Sequence, residues 1–468
     1  MSQTKPVAIA SRRELFVDRY LIDSMSGTAG LKMHRPVRKE VVFQVSGPLE
    51  NACSGVYSVL VKDEDRYMLY YRGHYPLEGT GGDKAERQTA NVAFSTDGIH
   101  FERPHLGLHD FDDGGQNNVI WQGRQAHNLV PFRDPRPDVD EDKRFKAVGG
   151  SGQHSLYGLF SPDGINWRLA QEEPLDIDGA FDSANVPLWD PVRGQYRIFS
   201  RYFDERDGHR VRAVQSCESD DFIHWTDPVP HQYNEDVPAE HLYTNATVVV
   251  PGAEHILLSF PMRFLPEREP PVDISEMDYP GRGGVSDGLM MSSRDGVHWN
   301  RTFMEAWLRG GLDKRNWTHR NQTPGIGILQ TGETEWSMYA AEHYGWADNR
   351  LRRLAVRPWG FAAVNAGYEG GEMVTTPLSF EGNCLEINYS TGAAGSVRAE
   401  IQDADGNPLP DRTLGDCPPI YGDELGHVVH WEEGSDVSRY AGQPVRLRFA
   451  IKDADLFAMR FRTSENQP

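Results

Sequence analysis

Hydrophobic and polar residues alternate in short segments through most of the chain, with turn-forming residues between the segments. Examples are NVAFS at 91–95, LYGLFS at 156–161 and GLMMSS at 288–293. Short alternating or apolar runs bounded by turn signals are typical of β-strands. No long segment shows the period of an α-helix, so the pattern predicts an all-β chain.

One heptapeptide with the pattern Ser-x-Asp-Gly-x-x-aromatic recurs along the chain. Its copies are STDGIHF at 95–101, SPDGINW at 161–167, SDDFIHW at 219–225 and SRDGVHW at 293–299. Asp-Gly favours a tight turn, because glycine adopts positive φ and aspartate caps its own turn. Since each copy follows a strand-like run, we expect it to form the last hairpin of a repeated sheet. Its aromatic residues, Phe101, Trp167, Trp225 and Trp299, should then lie in equivalent places.

Two further strand-like runs precede each heptapeptide, which gives four strands per unit, the composition of a propeller blade. A fifth unit without the heptapeptide follows, with Pro358-Trp359-Gly360 at the turn position. The repeat therefore predicts a five-bladed β-propeller over residues 35–365. Alternating strands with polar turns continue over 366–468 and predict a small β-sandwich. Residues 1–34 are expected to be a strand segment that packs on these domains.

The net charge of −21 argues against nucleic acid or an anionic membrane surface as a partner. The chain begins with MSQTKPVAIASRRELF, which is not a signal peptide, and it has no membrane-length apolar run. A cytoplasmic location is therefore expected. The four cysteines lack metal-ligand spacing and are expected to be free thiols, although Cys384 and Cys417 could meet within one domain. A homo-oligomer remains open.

Strand order alone selects a set of candidate site residues. In a meandering blade, residues just before the first strand and just after the second strand share one rim around the axis. The starts of the first strands carry Glu50, Asn51, His127, Asn128, Asp182, Ser183, Asn185, Glu240, His241, Tyr243, Asn245, Trp317, Arg320 and Asn321. The ends of the second strands carry Arg72, His74, Arg201, Arg263, Glu342, His343 and Tyr344, and Asp287 opens a third strand. These convergent polar groups predict a binding pocket; the alternative is that they line a water-filled channel and join neighbouring blades.

The heptapeptides and the order of propeller and sandwich resemble the five-bladed propeller superfamily of glycoside hydrolases, which includes families 32, 43, 68 and 117. The resemblance covers nearly the whole chain and implies the fold and a glycosidase activity. The Trp-x-Asn-Asp-Pro-Asn-Gly motif of the fructosidases is absent, and LENACSGVY is the nearest sequence. Family 43 enzymes have Asp, Asp and Glu in their first three blades, where this chain has Glu50-Asn51, His127-Asn128 and Asp182-Ser183. The catalytic residues therefore do not transfer directly.

The resemblance also bears on cofactors, because family 43 enzymes often use a histidine near a central calcium ion. His127, His241 and His343 could hold a structural calcium on the axis in the same way. The alternative is that each histidine only makes hydrogen bonds. No other cofactor is expected.

Hydrolysis of a glycosidic bond needs two carboxyl groups, one as acid and one as base or nucleophile. The rim offers Glu50, Asp182, Glu240, Asp287 and Glu342. We predict that Asp182 and Glu342 are the catalytic pair, with Glu240 as the third candidate. Because these two residues come from non-adjacent blades, they should face each other across the axis, at a distance that suits inversion. For each carboxylate the alternative is an ion pair with a rim arginine.

Arginines at four of these rim positions, Arg72, Arg201, Arg263 and Arg320, suggest an anionic substrate group or phosphate as the attacking nucleophile. Alternatively, they neutralise the rim carboxylates. The leading prediction is an exo-acting glycoside hydrolase whose substrate is an oligosaccharide or glycoside, with an anionic sugar as one option. The other candidates are a glycoside phosphorylase, a lyase acting on a uronate-containing sugar, and a non-catalytic carbohydrate-binding or scaffolding propeller.

Overall fold

The computed structural model describes residues 5–74, 88–206, 208–234, 237–281 and 283–464. Strands dominate, and the helical segments among these residues are single 3-10 turns at Arg124–Ala126, Glu141–Lys143, Ile274–Glu276, Lys314–Asn316 and Ser438–Tyr440. The predicted all-β fold class is confirmed. In the part of the chain that is described, no helix is long and apolar enough to cross a membrane.

The chain forms two compact units, Pro36–Val356 and a second unit in which Met1–Arg35 joins Arg357–Pro468. The N-terminal strands of the second unit are β1 Val7–Ala10, β2 Glu14–Leu15, β3 Ile22–Gly27 and β4 Gly30–Met33. The first unit begins with β5, Val37–Gln44. The expected N-terminal strand segment thus shares a unit with the C-terminal strands.

Small, mostly antiparallel sheets follow one another in chain order in the unit 36–356. The first sheet contains β6 Val59–Asp63, β7 Arg66–His74, β8 Gln88–Ser95 and β9 Val119–Gln122. The second contains β10 Val130–Arg133, β11 Phe145–Gly150, β12 Leu156–Ser161 and β13 Arg168–Leu169. The third contains β14 Val186–Asp190, β15 Gln195–Arg206, β16 His209–Ser219 and β17 Val229–Pro230.

The fourth region consists of two sheets that share a continuous stretch of chain. Its strands are β18 Gln232–Tyr233, β19 His241–Leu242, β20 Val248–Val249, β21 Leu257–Ser259, β22 Met262–Leu265, β23 Val285–Gly288, β24 Met291–Ser293 and β25 His298–Asn300. The last sheet contains β26 Thr323–Pro324, β27 Leu329–Gln330, β28 Trp336–Glu342 and β29 Arg350–Val356. Its outer strand is β5, so a strand from before the first sheet completes the last one.

The first strands of these sheets meet around a common axis. β6 contacts β10, β10 contacts β14, and β14 contacts β20, while β27 returns to β6. A cavity of about 450 Å³ is lined by residues from all five regions, including Val61, Phe132, Leu188, Val249 and Leu329. We interpret this ring as the blades of a propeller, with β5 closing it.

Each heptapeptide forms the same capped turn. In the first copy, Ser95 Oγ accepts hydrogen bonds from the backbone N–H groups of Asp97 and Gly98 at 3.2 and 2.9 Å. Asp97 Oδ1 accepts from the next two N–H groups at 2.7 and 2.8 Å. Serine and aspartate oxygens make equivalent bonds in the other three copies. The repeat is therefore a turn whose donors are satisfied by its own side chains.

The third copy departs at its glycine position. Glycine has φ between 73° and 78° in the other copies, and Phe222 adopts φ 70° in its place. The Phe222 ring is fully buried and packs against Tyr196 and Trp225. In the second and fourth copies, the tryptophan Nε1 donates to the glycine carbonyl at 3.0 and 3.1 Å. Packing of a buried aromatic ring therefore offsets the strain of positive φ in the third copy.

Replacing the capping serine should destabilise the fold. Ser95 is buried, and Ser95→Ala would leave two N–H groups without an acceptor, so we expect the free energy of unfolding to fall by about 1–3 kcal/mol. Thr96→Ala is the matched control, because Thr96 is the exposed neighbour, and its effect should stay within about 0.5 kcal/mol. Urea unfolding measures both changes, and equal effects would show that the serine cap contributes nothing.

The second unit is built on one ten-stranded sheet. Its remaining strands are β30 Ala362–Ala366, β31 Gly371–Thr375, β32 Leu378–Phe380, β33 Cys384–Asp403, β34 Asp423–Val428 and β35 Val445–Arg462. β1 to β4 pair with β32, β35, β31 and β30 respectively. The pairing of β33 with β35 shifts register between Thr391 and Ser396, and such irregularities let long strands bend around one core.

All four cysteines lie within the described residues, and each is a free thiol. Cys384 and Cys417, the pair that could have met, are both buried without a bond between them.

Candidate active site

Arginine and tyrosine side chains converge where the first strands of the propeller begin. We call Tyr57, Arg72, His127, Arg201, Arg212, Tyr243, Arg320 and Tyr344 the arginine–tyrosine cluster. Arg320 is at its centre and donates hydrogen bonds to the phenol oxygens of Tyr344 and Tyr243 at 2.6 and 2.9 Å. The guanidinium groups of Arg201 and Arg212 lie 5.3 and 4.8 Å from the centre of the Tyr243 ring. Three cations therefore surround one buried phenol.

Arg72 and His127 form the side of the cluster that belongs to the first two sheets. Arg72 donates to the Cys53 carbonyl oxygen at 2.7 Å and to Asn128 Oδ1 at 3.2 Å. Burial, followed by the positive charges of Arg72 and Arg320, lowers the pKa of His127 to about 3. His127 is therefore neutral at pH 7, and its buried Nε2 has no hydrogen-bond partner within the described ranges.

Most guanidinium groups of the cluster have no carboxylate partner among the described residues. Neither Arg72, Arg212 nor Arg320 forms an ion pair with a carboxylate there, whereas Arg201 pairs with Asp182. The three unpaired arginines are half-buried. A partly desolvated cation without a partner favours the binding of an anion.

Backbone strain is concentrated at the same place. Tyr57, Asn128 and Arg320, which lie near the starts of three first strands, have φ of 61°, 50° and 58°. Positive φ in a residue with a side chain costs on the order of 1–3 kcal/mol and is found preferentially at functional sites. The fold thus places these side chains at an energetic cost.

The arginines also change the acidity of one tyrosine. Burial alone would raise the pKa of Tyr243, but the nearby charges of Arg320, Arg201 and Arg212 lower it below its usual range. Burial dominates at Tyr57 and Tyr344 and raises the pKa of both. Tyr243 is therefore the phenol of the cluster that most readily becomes a phenolate.

An open cavity of about 790 Å³ adjoins the cluster, and we call it the side cavity. It is lined by residues of the second and third sheets, including Gly152, His154, Asp178, Phe181, Asp182, Arg201 and Phe203. The Asp182 side chain is 55% exposed, whereas Arg201 is buried. Since Arg201 pairs with Asp182 and also lies over Tyr243, it connects the cavity to the cluster.

The other candidate carboxylates lie in ion pairs of their own. Glu342 is 2% exposed and pairs with Arg350, Arg352 and Arg38 at 3.2, 2.9 and 3.4 Å. Glu342 and Asp182 share no partner, so no contact supports the expectation that they face each other. The surroundings of Glu342 fit the alternative to catalysis that the sequence left open, in which the carboxylate forms ion pairs with arginines.

Glu240, Asp287 and Glu50 are also paired. Arg263 binds Glu240 at 3.0 Å and Asp287 at 2.7 Å, and Arg301 adds a second partner to Glu240. Glu50 accepts from Tyr71 Oη at 2.6 Å and from Arg103 at 2.8 Å. Arg263 therefore neutralises rim carboxylates, which Arg72, Arg212 and Arg320 do not do among the described residues.

The amides chosen from the sequence mainly hold the backbone near strand starts, and Asn245 also joins two neighbouring sheets. Asn245 Nδ2 donates to the Phe199 carbonyl at 3.1 Å, and Asn321 Oδ1 accepts from the Tyr344 N–H at 2.9 Å. Asn185 donates to two nearby carbonyls, and Ser183 Oγ donates to the Tyr243 carbonyl. Asn51 caps a turn at Cys53 N. These bonds position the strand starts that carry the cluster.

The remaining candidates lie around the cluster. His241 Nδ1 accepts from the Arg212 N–H at 3.2 Å. His343 is buried between Asp313 and Asp348 at 2.7 and 2.8 Å. His74 ends β7, and Trp317 is 39% exposed.

No group of three or more His, Cys, Asp or Glu suited to a metal ion occurs among the described residues. The positive cluster beside His127 disfavours a cation there, and the calcium ion stays a prediction.

Two members of the cluster were not selected by sequence reasoning. Arg212 lies inside β16, the third strand of its sheet, whereas the rim rule took starts of first strands, ends of second strands and, at Asp287 alone, the opening of a third strand. The alternation of Arg210 and Arg212 with Val211 and Ala213 marks a polar face and could have indicated it. Tyr57 lies two residues before β6 and could have been found from strand order.

Comparison with known proteins adds one relative. No family model matches the chain. Over 228 residues the chain is 26% identical to the sucrose-6-phosphate hydrolase of Escherichia coli. The match covers 38% of this chain and 43% of that protein. The chain thus spans less than half the length of this curated relative. The predicted resemblance to glycoside hydrolases is confirmed by this match.

Solved structures give weaker similarities. A structure described as a glycoside hydrolase aligns with TM-score 0.47 and 11% identity, over 70% of this chain and 95% of that one. A family 43 arabinoxylan arabinofuranohydrolase from Bacillus subtilis aligns with TM-score 0.38 and 11% identity, over 90% of this chain and 98% of that one.

Proposed function

We propose that this chain is an exo-acting glycoside hydrolase whose substrate carries an anionic group bound by the arginine–tyrosine cluster. The observation that carries the proposal is the set of guanidinium groups at Arg72, Arg212 and Arg320 that have no carboxylate partner among the described residues. A planar guanidinium matches a carboxylate, sulfate or phosphate, and an anion here would compensate the charge of these half-buried groups. Because the three tyrosines and Arg201 of the cluster are buried, the end of a sugar chain would enter it more readily than its middle.

The sequence match supports both parts of this proposal. The Escherichia coli relative is named a hydrolase of sucrose-6-phosphate, which is a glycoside that carries a phosphate. Phosphate is one of the anions that the cluster chemistry would accept. The side cavity is large enough for sugar residues next to the cluster.

Asp182 is the carboxylate that we propose takes part in catalysis. It is exposed in the side cavity and contacts Arg201, a member of the cluster. Glu342 and Glu240 are held by arginines outside this cavity, and we propose structural roles for both.

Arg72→Met should weaken binding of the anionic substrate by about 10–100-fold, because a hydrogen bond to a charged group contributes about 1.5–3 kcal/mol. Arg72 has no carboxylate partner among the described residues, so this variant should lose only the hydrogen bonds to Cys53 and Asn128, about 1–3 kcal/mol of stability. Arg263→Met provides the contrast, since it removes the partner of Glu240 and Asp287 and should mainly lower stability. Titration calorimetry and thermal unfolding separate the two effects. Equal substrate affinity in the parent and Arg72→Met would contradict anion binding at Arg72.

The function itself is tested by turnover of 4-nitrophenyl glycosides that are neutral or carry a carboxylate, sulfate or phosphate. We expect 4-nitrophenol release from charged members, independent of added phosphate. Release that requires phosphate would indicate a phosphorylase. Glycan binding without cleavage after long incubation would indicate a non-catalytic propeller.

A uronate lyase is the second candidate, and the chemistry around Tyr243 favours it. Elimination needs cations to neutralise the uronate carboxylate and a base to remove the neighbouring proton. Arg320 and Arg212 supply the cations, and Tyr243, in its phenolate form, supplies the base. An unsaturated product that absorbs in the ultraviolet, formed from a polyuronate oligosaccharide, would support the lyase over the hydrolase.

A further inference from the structure

The hydrogen bonding of Tyr243 leaves its oxygen available to a ligand. A guanidinium can only donate, so Tyr243 Oη accepts the bond from Arg320 Nη2 at 2.9 Å. Among the described residues, no acceptor takes the phenol proton of Tyr243. Arg201 and Arg212 are placed over the same ring. The arrangement stabilises negative charge on this oxygen.

The other phenols of the cluster have different surroundings. Tyr344 Oη also accepts from Arg320, but Arg201 and Arg212 do not lie over its ring. Burial raises the pKa of Tyr344 and of Tyr57, whereas the pKa of Tyr243 is lowered. The cluster therefore contains one phenol suited to act as an anion.

The small number of carboxylates that contact the cluster also limits the mechanism. Double displacement needs a nucleophile and an acid–base group, and the one carboxylate among the described residues that pairs with an arginine of the cluster is Asp182. Glu342, Glu240 and Glu50 are already bound by arginines outside the cluster. Within the part of the chain that is described, a second reactive oxygen would then come from another residue type, and Tyr243 offers one.

We propose that Tyr243 is the catalytic nucleophile of a retaining double displacement, a proposal that rests on the glycosidase function above. Tyr243 Oη, as the phenolate, bonds to the anomeric carbon while the glycosidic C–O bond breaks, and Asp182 gives its proton to the leaving oxygen. Water then attacks the same carbon and gives a proton back to Asp182, and Tyr243 leaves as the phenolate. Both bonds and the proton are accounted for, and no further reactant is needed.

The ion pair between Arg201 and Asp182 fits this sequence of steps. An anionic substrate group that binds Arg201 would release Asp182 from its cation, and a carboxylate without a nearby cation is more easily protonated. Substrate binding would thus prepare the acid and bring the sugar to Tyr243.

The trapping experiment uses the full chain and the 2-deoxy-2-fluoro glycosyl fluoride that corresponds to whichever 4-nitrophenyl glycoside it hydrolyses. We expect a covalent adduct that peptide mass spectrometry places on Tyr243, and retained configuration of the product by NMR. An adduct on a carboxylate, or an inverted product, would overturn the role of Tyr243 while leaving the glycosidase function intact. Absence of turnover on every glycoside would instead count against the function.

A titration of tyrosinate absorbance tests the residue without any substrate. The parent should show one tyrosine ionising below the others, and Tyr243→Phe should lose that transition while remaining folded by circular dichroism. Tyr344→Phe, which removes the other phenol bound to Arg320, should retain it. In turnover, Tyr243→Phe should lose at least about 100-fold in kcat, and Tyr344→Phe should lose clearly less. If Tyr243→Phe still showed a tyrosine that ionises at lower pH than the others, the proposal would be overturned.

Discussion

Asp182→Asn is expected to lower kcat by about 10²–10⁴-fold, the usual cost of removing a positioned acid or base. Asparagine keeps the shape of the side chain and can still accept a hydrogen bond from Arg201, but it can neither donate a carboxyl proton nor take one up. Asp182 is more than half exposed, but Arg201 is buried and would lose its carboxylate partner, so the free energy of unfolding should fall by about 1–3 kcal/mol and the variant should remain folded.

Asp178→Asn is the matched control for this loss of rate. Asp178 lines the same side cavity and is exposed, but it pairs with His154 and has no contact with the cluster. Its kcat should therefore stay within about tenfold of the parent, less than the loss assigned to a positioned acid or base. Steady-state kinetics on the best 4-nitrophenyl glycoside compares the two variants. Turnover of Asp182→Asn near the parent rate would exclude Asp182 from catalysis.

Glu342→Gln should lower the free energy of unfolding by about 1–3 kcal/mol, since it removes the buried carboxylate that compensates three partly exposed arginines. Glu342 is almost completely buried at the end of β28 and is bound by Arg350 and Arg352 of β29 and by Arg38 of β5. Without the carboxylate, these three guanidinium groups would repel one another. The strand that closes the ring would then lose one of its side-chain anchors.

Glu335→Gln provides the control in the same sheet. Glu335 is 36% exposed and pairs with Arg353 and Lys39, so its loss should cost less than about 1 kcal/mol. Chemical denaturation measures both variants. If Glu342→Gln were as stable as the parent and yet inactive, Glu342 would belong to the catalytic machinery, as the sequence first suggested.

The repeated sheets could be predicted because their signal is local. Ser95 and Asp97 satisfy the donors of a turn within four residues of themselves, and the same bonds form in each copy. Strand order then located Arg201, Tyr243 and Arg320, because the start and end of a strand fix which end of the axis a residue occupies. Such features depend on residues that are close together in sequence, so they can be recognised from one sequence alone.

The roles of the carboxylates could not be predicted, because they depend on distant partners. Arg38, which binds Glu342, comes from the strand that closes the ring, more than 300 positions away in sequence. Glu50 is bound by Arg103 in the same non-local way. Arg212 was missed because it lies inside a third strand, where the rim rule does not apply. The balance of charge at the axis becomes visible only when these long-range pairs are assigned.

The central claim is that arginines at the axis without a carboxylate partner in the described parts of the chain bind an anionic group of the substrate. The most direct test is the ratio of kcat/KM for matched 4-nitrophenyl glycosides that differ only in a carboxylate, sulfate or phosphate on the sugar. The parent should prefer the charged member by at least about tenfold, and Arg320→Met should bring the ratio close to one. A parent that hydrolyses the neutral member equally well, or a ratio that Arg320→Met leaves unchanged, would contradict the claim.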